Sequence, residues 1–155
     1  MPIRITDYLP REFVRVPMAA RDKHDAIVEL VDLLARGART RDRDKLLAAV
    51  LEREAQRTTG VGRGLAIPHA KSDVCPKLVV AFGRTEEPID FQAIDGQPVR
   101  LVVLMAGPPD QTSPHIQILA RLSRMVTNAA VLDDLLLAPT PDAVYEVIRR
   151  HDDAT

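Results

Sequence analysis

The sequence predicts a single α/β domain, residues 1–155, in which a central sheet is flanked by helices. Leu78 to Phe82 and Val99 to Met105 are continuous apolar runs rich in Val and Leu, as expected of strands covered on both faces. Helical patterns stand before and after these runs, and no repeat, linker or low-complexity segment separates them. A chain of 155 residues is long enough to bury one sizeable core.

Taken in order, Phe13 to Val16 alternate in polarity before Pro17 and read as a short strand. Asp22 offers a cap, and Ile27, Leu30, Val31 and Leu34 repeat at helical spacing until Gly37, a helix C-terminal residue. Asp42 caps a second helix, with Leu46, Leu47, Val50 and Leu51 on one face and Glu52, Arg53 and Glu54 in its last turns. Glycine occupies every second position from Gly60 to Gly64, which suits a loop whose backbone approaches something closely. A short apolar stretch, Leu65 to Pro68, follows. Between the two apolar runs, Pro88, Asp95, Gly96 and Pro98 predict a loop, with Ile89, Phe91 and Ile94 packing down on the core. Ser113 and Pro114 form an N-cap and first-turn pair ahead of Ile118, Leu119, Leu122, Met125 and Val126. Asn128 and Thr140 cap two further helices, Ala129 to Leu137 and Pro141 to Arg150.

Composition excludes several function classes. Lys and Arg number 21 against 22 Asp and Glu, so the chain lacks the basic excess of a nucleic-acid binder. Aromatic residues are 3% and Trp is absent, which removes stacking platforms for bases. No stretch approaches the roughly 20 apolar residues of a membrane span, and Met1 to Pro10 lacks the apolar core of a signal peptide. A cytoplasmic protein without membrane insertion is expected, and the lone Cys75 fits a reducing compartment.

The most informative stretch is Thr58 to Lys71, T-T-G-V-G-R-G-L-A-I-P-H-A-K. Backbone N–H groups of such a glycine-rich loop can turn inward to bind phosphate, and His69 emerges after a rigid proline a few residues later. It is no nucleotide fingerprint: a short strand follows the glycines, and G-K-[ST] is missing. With L-E-R-E at Leu51 to Glu54, D-F-Q-A-I-D-G-Q at Asp90 to Gln97, P-D-Q-T-S-P-H ending at His115, and the amino-terminal D-Y-L-P, the stretch resembles the fructose/mannitol-type IIA family of the bacterial phosphotransferase system, which includes the nitrogen-regulatory IIA proteins. The resemblance covers nearly the whole chain. It departs at Arg63, where family members commonly have Asn, and at Ala70, where Gly is frequent.

The resemblance implies the family fold with a mixed central sheet, and a phosphoryl group carried transiently on His69. The donor would be the phosphohistidine of HPr or an HPr-like carrier. The acceptor would be a IIB domain, or the phosphate would serve as a regulatory signal to a target protein. No cofactor and no metal are implied. Imidazole suits such a carrier because it is a good nucleophile near neutral pH and its phosphoramidate keeps a high transfer potential. Arg53, matching the family arginine of L-x-R-E, offers a planar fork of N–H donors, with intrahelical Glu–Arg pairing as the competing reading. His115, in the first turn of its helix, is either an orienting donor, kept neutral by the helix dipole, or a capping residue. Thr59, Gly60, Gly62 and Gly64 form the expected phosphate-binding loop. His24 and His151 read as solvated.

Two alternatives stand beside this. His69, Asp73 and Cys75 match no familiar metal-ligand spacing. A regulatory module acting mainly through partner binding is the rival from another class, favoured modestly by the lack of any IIB-like or membrane segment in this chain.

Overall fold

The computed structural model describes residues 3–154; residues 1, 2 and 155 of the expected domain lie outside the described residues. Two 3-10 turns, Ile5–Asp7 and Arg11–Phe13, lead into β1 (Val14–Met18). Next come α1 (Lys23–Arg36) and α2 (Arg43–Gln56), then the short strands β2 (Gly60–Gly62), β3 (Leu65–Ala66) and β4 (His69–Lys71). The long strands β5 (Val79–Ile89) and β6 (Val99–Gly107) precede α3 (Thr112–Met125), α4 (Ala129–Leu137) and α5 (Pro141–Ala154).

The strands form one six-stranded sheet in the order β1-β5-β6-β3-β2, with β4 also paired to β6. It is mixed. β1 runs parallel to β5, and β3 and β4 run parallel to β6, whereas β5 with β6 and β2 with β3 are antiparallel. β5 and β6 are the hydrophobic axis: Val79 to Phe82 and Leu101 to Ala106 are fully buried, because helices and loops cover both faces. Pro17 is tolerated inside β1 because that strand is at the sheet edge, where the register shifts between Arg15 and Met18.

Caps place the helices where the sequence predicts them. Asp22 accepts from the Asp25 N–H, Asp42 from Lys45, Asn128 from Ala130 and Val131, and Thr140 from Ala143. Four expectations are corrected. Phe13 closes a 3-10 turn, so the first strand is Val14–Met18. The loop expected after Phe82 begins only beyond Ile89, since β5 continues through Pro88 to pair Ile89 with Val99. Ile89 and Phe91 do pack inward, but Ile94 is 64% exposed. Ser113 is no N-cap: α3 starts at Thr112 after Gln111, whose side chain is instead committed to the Leu78 N–H at 2.8 Å.

Candidate functional site

β6 organises the site. Its edge away from β5 is shared by β3, opposite Leu101 and Val102, and β4, opposite Met105 to Gly107, with Ile67 and Pro68 joining the two. Pro68 lends its carbonyl to the Met105 N–H at 3.0 Å, so the chain crosses from one strand to the next without leaving β6. His69 therefore opens β4 at a fixed height on the sheet. α2 packs against β4 and carries Arg53 in its last turn, while α3 brings His115 from its first turns.

These side chains meet. Arg53, His69, Lys71, His115 and Leu119 line one cavity of about 540 Å³, and Arg53 and His69 also line an adjoining one of about 200 Å³ with Thr59, Gly60, Val61 and Ile94. The imidazoles of His69 and His115 lie edge to face, with ring centroids 5.2 Å apart at 71°. Nδ1 of His69 is 2.8 Å from the Ile67 carbonyl oxygen, which can only accept; Nδ1 thus carries the proton, and Nε2 keeps the lone pair. Burial above all, then the Arg53 and Lys71 charges, holds His69 below the ordinary histidine range, against the raising pull of the Ile67 carbonyl and Glu54. His115 is pushed down to about 4 by burial first, then by His69 and Lys71. Both rings are neutral at pH 7. Burial, not the helix dipole, dominates for His115, whose own N–H is already bonded to the Gln111 carbonyl at 3.2 Å.

Arg53 donates to the Arg57 carbonyl at 3.0 Å and pairs with no carboxylate among the described residues, so intrahelical Glu–Arg pairing is not what holds it. Its partner in sequence, Glu54, is buried and turned the other way. There its carboxylate accepts from the Thr59 N–H at 2.9 Å and the Thr59 hydroxyl at 2.6 Å, and meets Lys23 at 2.8 Å.

The phosphate-binding loop expected at Thr59, Gly60, Gly62 and Gly64 is instead the β2–β3 hairpin. Both polar groups of Thr59 are taken by Glu54, and the Gly60 N–H donates to the Thr58 hydroxyl at 3.1 Å. Gly62 and Gly64 lie at the hairpin turn, Gly62 beside Asp95, whose carboxylate accepts from the Arg63 N–H at 3.2 Å. Gly60 is needed for close packing: a Cβ there would come within 2.7 Å of the Ala93 backbone.

Lys71 is the cavity residue that sequence reasoning passed over. Its signal is the strand period, H-A-K, which puts residues 69 and 71 on one face once β4 is known. Among the described residues no group of three or more His, Cys, Asp and Glu could hold a metal, and none of the helices is long and apolar enough to cross a membrane. Cys75 is buried, which raises its thiol pKa and keeps it from acting as a thiolate. His24 is exposed, 3.5 Å from Asp25.

Fold and site together define an α/β domain with one uncharged imidazole nitrogen in a cavity lined by Glu52, Arg53 and Lys71. Residues 7–151 match the family model described as "Phosphoenolpyruvate-dependent sugar phosphotransferase system, EIIA 2", and the chain belongs to that family of phosphoryl carriers. It is 40% identical over 144 residues to the PTS system fructose-specific EIIA component of Haloferax volcanii, covering 93% of this chain and 94% of that protein. Identity to the fructose-specific EIIABC component of Bacillus subtilis is 33% over 97% of the chain, which spans only 24% of that longer protein. The crystal structure of nitrogen regulatory protein IIA-Ntr from Neisseria meningitidis superposes with a TM-score of 0.87 at 27% identity, covering 93% of this chain and 98% of that one.

Proposed function

We propose that this chain accepts a phosphoryl group on Nε2 of His69 from phosphorylated HPr or an HPr-like carrier, and passes it to a IIB domain or uses it as a regulatory signal, in the cytoplasm. The observation that carries this is the Nδ1–H to Ile67 hydrogen bond, which leaves Nε2 as the free nucleophile of a neutral ring. In the transfer, the Nε2 lone pair forms the new N–P bond as the donor's N–P bond breaks and its electron pair returns to the donor imidazole. Each ring keeps the proton on its other nitrogen, so the reaction is reversible without an external base. The transition state is loose and spreads charge over three oxygens, which makes positioning and electrostatics the protein's main contribution. Arg53 supplies a planar fork of donors and His115 a neutral N–H. The exposed apolar residues Val61, Ile94 and Ile116 near this site suit contact with a protein donor rather than a small molecule.

Incubation with phosphoenolpyruvate, enzyme I and a cognate HPr-like carrier should add one acid-labile, base-stable phosphate, located on His69 by intact-mass and peptide analysis. His69→Ala should take up none; phosphate on that variant would place the acceptor elsewhere. A regulatory reading, in which phosphorylation mainly switches partner binding, is favoured by the close superposition on a nitrogen regulatory IIA protein. It predicts that a target captured from the source cell discriminates the phosphorylated from the unphosphorylated chain, whereas a carrier role predicts onward transfer to a IIB domain.

A further inference from the structure

A phosphoryl group on His69 brings about two negative charges at neutral pH into a cavity where His115 is neutral and Glu52 adds a carboxylate, so the ring that keeps its Nδ1 proton and Arg53 do not together balance them. Lys71 follows His69 by two positions on β4 and lines the same cavity. Residues two apart on a strand are separated by about 7 Å, within reach of a lysine side chain. Its Nζ is 3.4 Å from Thr112 Oγ1 at the start of α3, and no carboxylate among the described residues neutralises it. Lys23 and Lys45, by contrast, are paired with Glu54 and Asp73. The cation nearest in sequence to His69 thus lines the cavity with no carboxylate bound to it among the described residues.

We propose that Lys71 is the second full positive charge of the phosphoryl site and sets how far phosphate moves onto His69. The proposal rests on the carrier reading above. Lys71 stabilises the phosphorylated form relative to the free form, so its effect lies in the equilibrium constant of transfer as well as in the rate. Docking cannot imitate this, because the equilibrium between separated carriers does not depend on how well they bind each other. The same charge also acts on the free imidazole, lowering its proton affinity.

The test compares wild type, Lys71→Gln and Lys71→Arg. Each is mixed with phosphorylated HPr-like carrier at several ratios, and the phosphorylated fraction at equilibrium is read by intact mass. The His69 pKa is followed in parallel by NMR on the unphosphorylated proteins. Lys71→Gln should lower the equilibrium constant on the order of tenfold, as loss of one nearby, partly screened charge implies, and raise the His69 pKa. Lys71→Arg should restore both. An unchanged equilibrium constant in a folded Lys71→Gln protein overturns the proposal and leaves the carrier reading standing, including the case where only the apparent affinity for the carrier falls. A wild-type chain that takes no phosphate sinks both.

Discussion

At the scale of single residues, His115 shows how burial makes a donor. It is 6% exposed, and the cost of charging an imidazole there, added to the nearby His69 and Lys71, keeps the ring neutral far below pH 7. A neutral ring still offers one N–H, and it adds no positive charge that would trap the phosphate on His69. Its place at 5.2 Å from the His69 ring centroid fits an orienting role, not a covalent one. His115→Ala should leave the acceptor and the fold intact but slow transfer from phosphorylated carrier on the order of 10²-fold, the loss typical of one preorganised donor. Quenched-flow transfer, with thermal unfolding as control, checks this. An unchanged rate would reduce His115 to packing, and complete loss of phosphorylation would mean that the two histidines have been assigned the wrong way round. Sequence alone could point to His115 only through the S-P-H motif, because what makes it neutral is burial in the folded chain and the nearness of His69 and Lys71 on β4.

Among the elements, the β2–β3 hairpin is where reading and structure part. Alternating glycines look like a phosphate cradle, yet they serve a tight turn: Arg63 and Gly64, both at positive φ (57° and 77°), connect Gly62 to Leu65. Two successive left-handed residues in a two-residue turn are the conformation for which Asn-Gly is the preferred pair. The Asn that the family commonly has at this position suits that conformation. Arg63→Asn should raise stability by up to about 1 kcal/mol, since Asn tolerates that conformation better, which is roughly 2–4 °C in Tm for a chain of this size. Phosphate transfer should be unchanged; calorimetry and the transfer assay together decide, and a slower transfer would give Arg63 a part in the site. The short strand expected after the glycines is β3, but β2 and β4 could not be read from sequence for a related reason. Strands of two or three residues are too short to show a period, and these exist because β6 offers an edge for them. The capped helices and the buried β6, whose signals are local and long, were legible almost residue by residue.

For the molecule as a whole, the sheet and its helices are tied together at the ends of the chain. The fully buried Asp152 carboxylate of α5 accepts from the Ile5 and Thr6 N–H groups at 3.2 and 3.0 Å and lies 3.6 Å from Arg121 of α3, so the first turn, the last helix and the helix bearing His115 form one packed unit. Unfolding that unit exposes the two site histidines to water, which links the chemistry of the site to global stability. In the unfolded chain an imidazole protonates near pH 6.5, whereas folded His115 resists protonation until about pH 4. Between these values the unfolded state binds more protons, so stability must fall as pH drops from about 6.5 to about 4 and level off below for this group. Full separation of the two values corresponds to an upper limit of about 3 kcal/mol from His115, and the lowered His69 acts in the same direction. Chemical denaturation of wild type and His115→Gln across pH 7 to 4 isolates the effect, because carboxylate contributions are common to both. The wild-type curve should drop more steeply, with the difference between the proteins changing by 1 kcal/mol or more over that range. Parallel curves would mean that His115 takes up its proton in the folded state as readily as in water, and burial could no longer be what keeps the ring neutral.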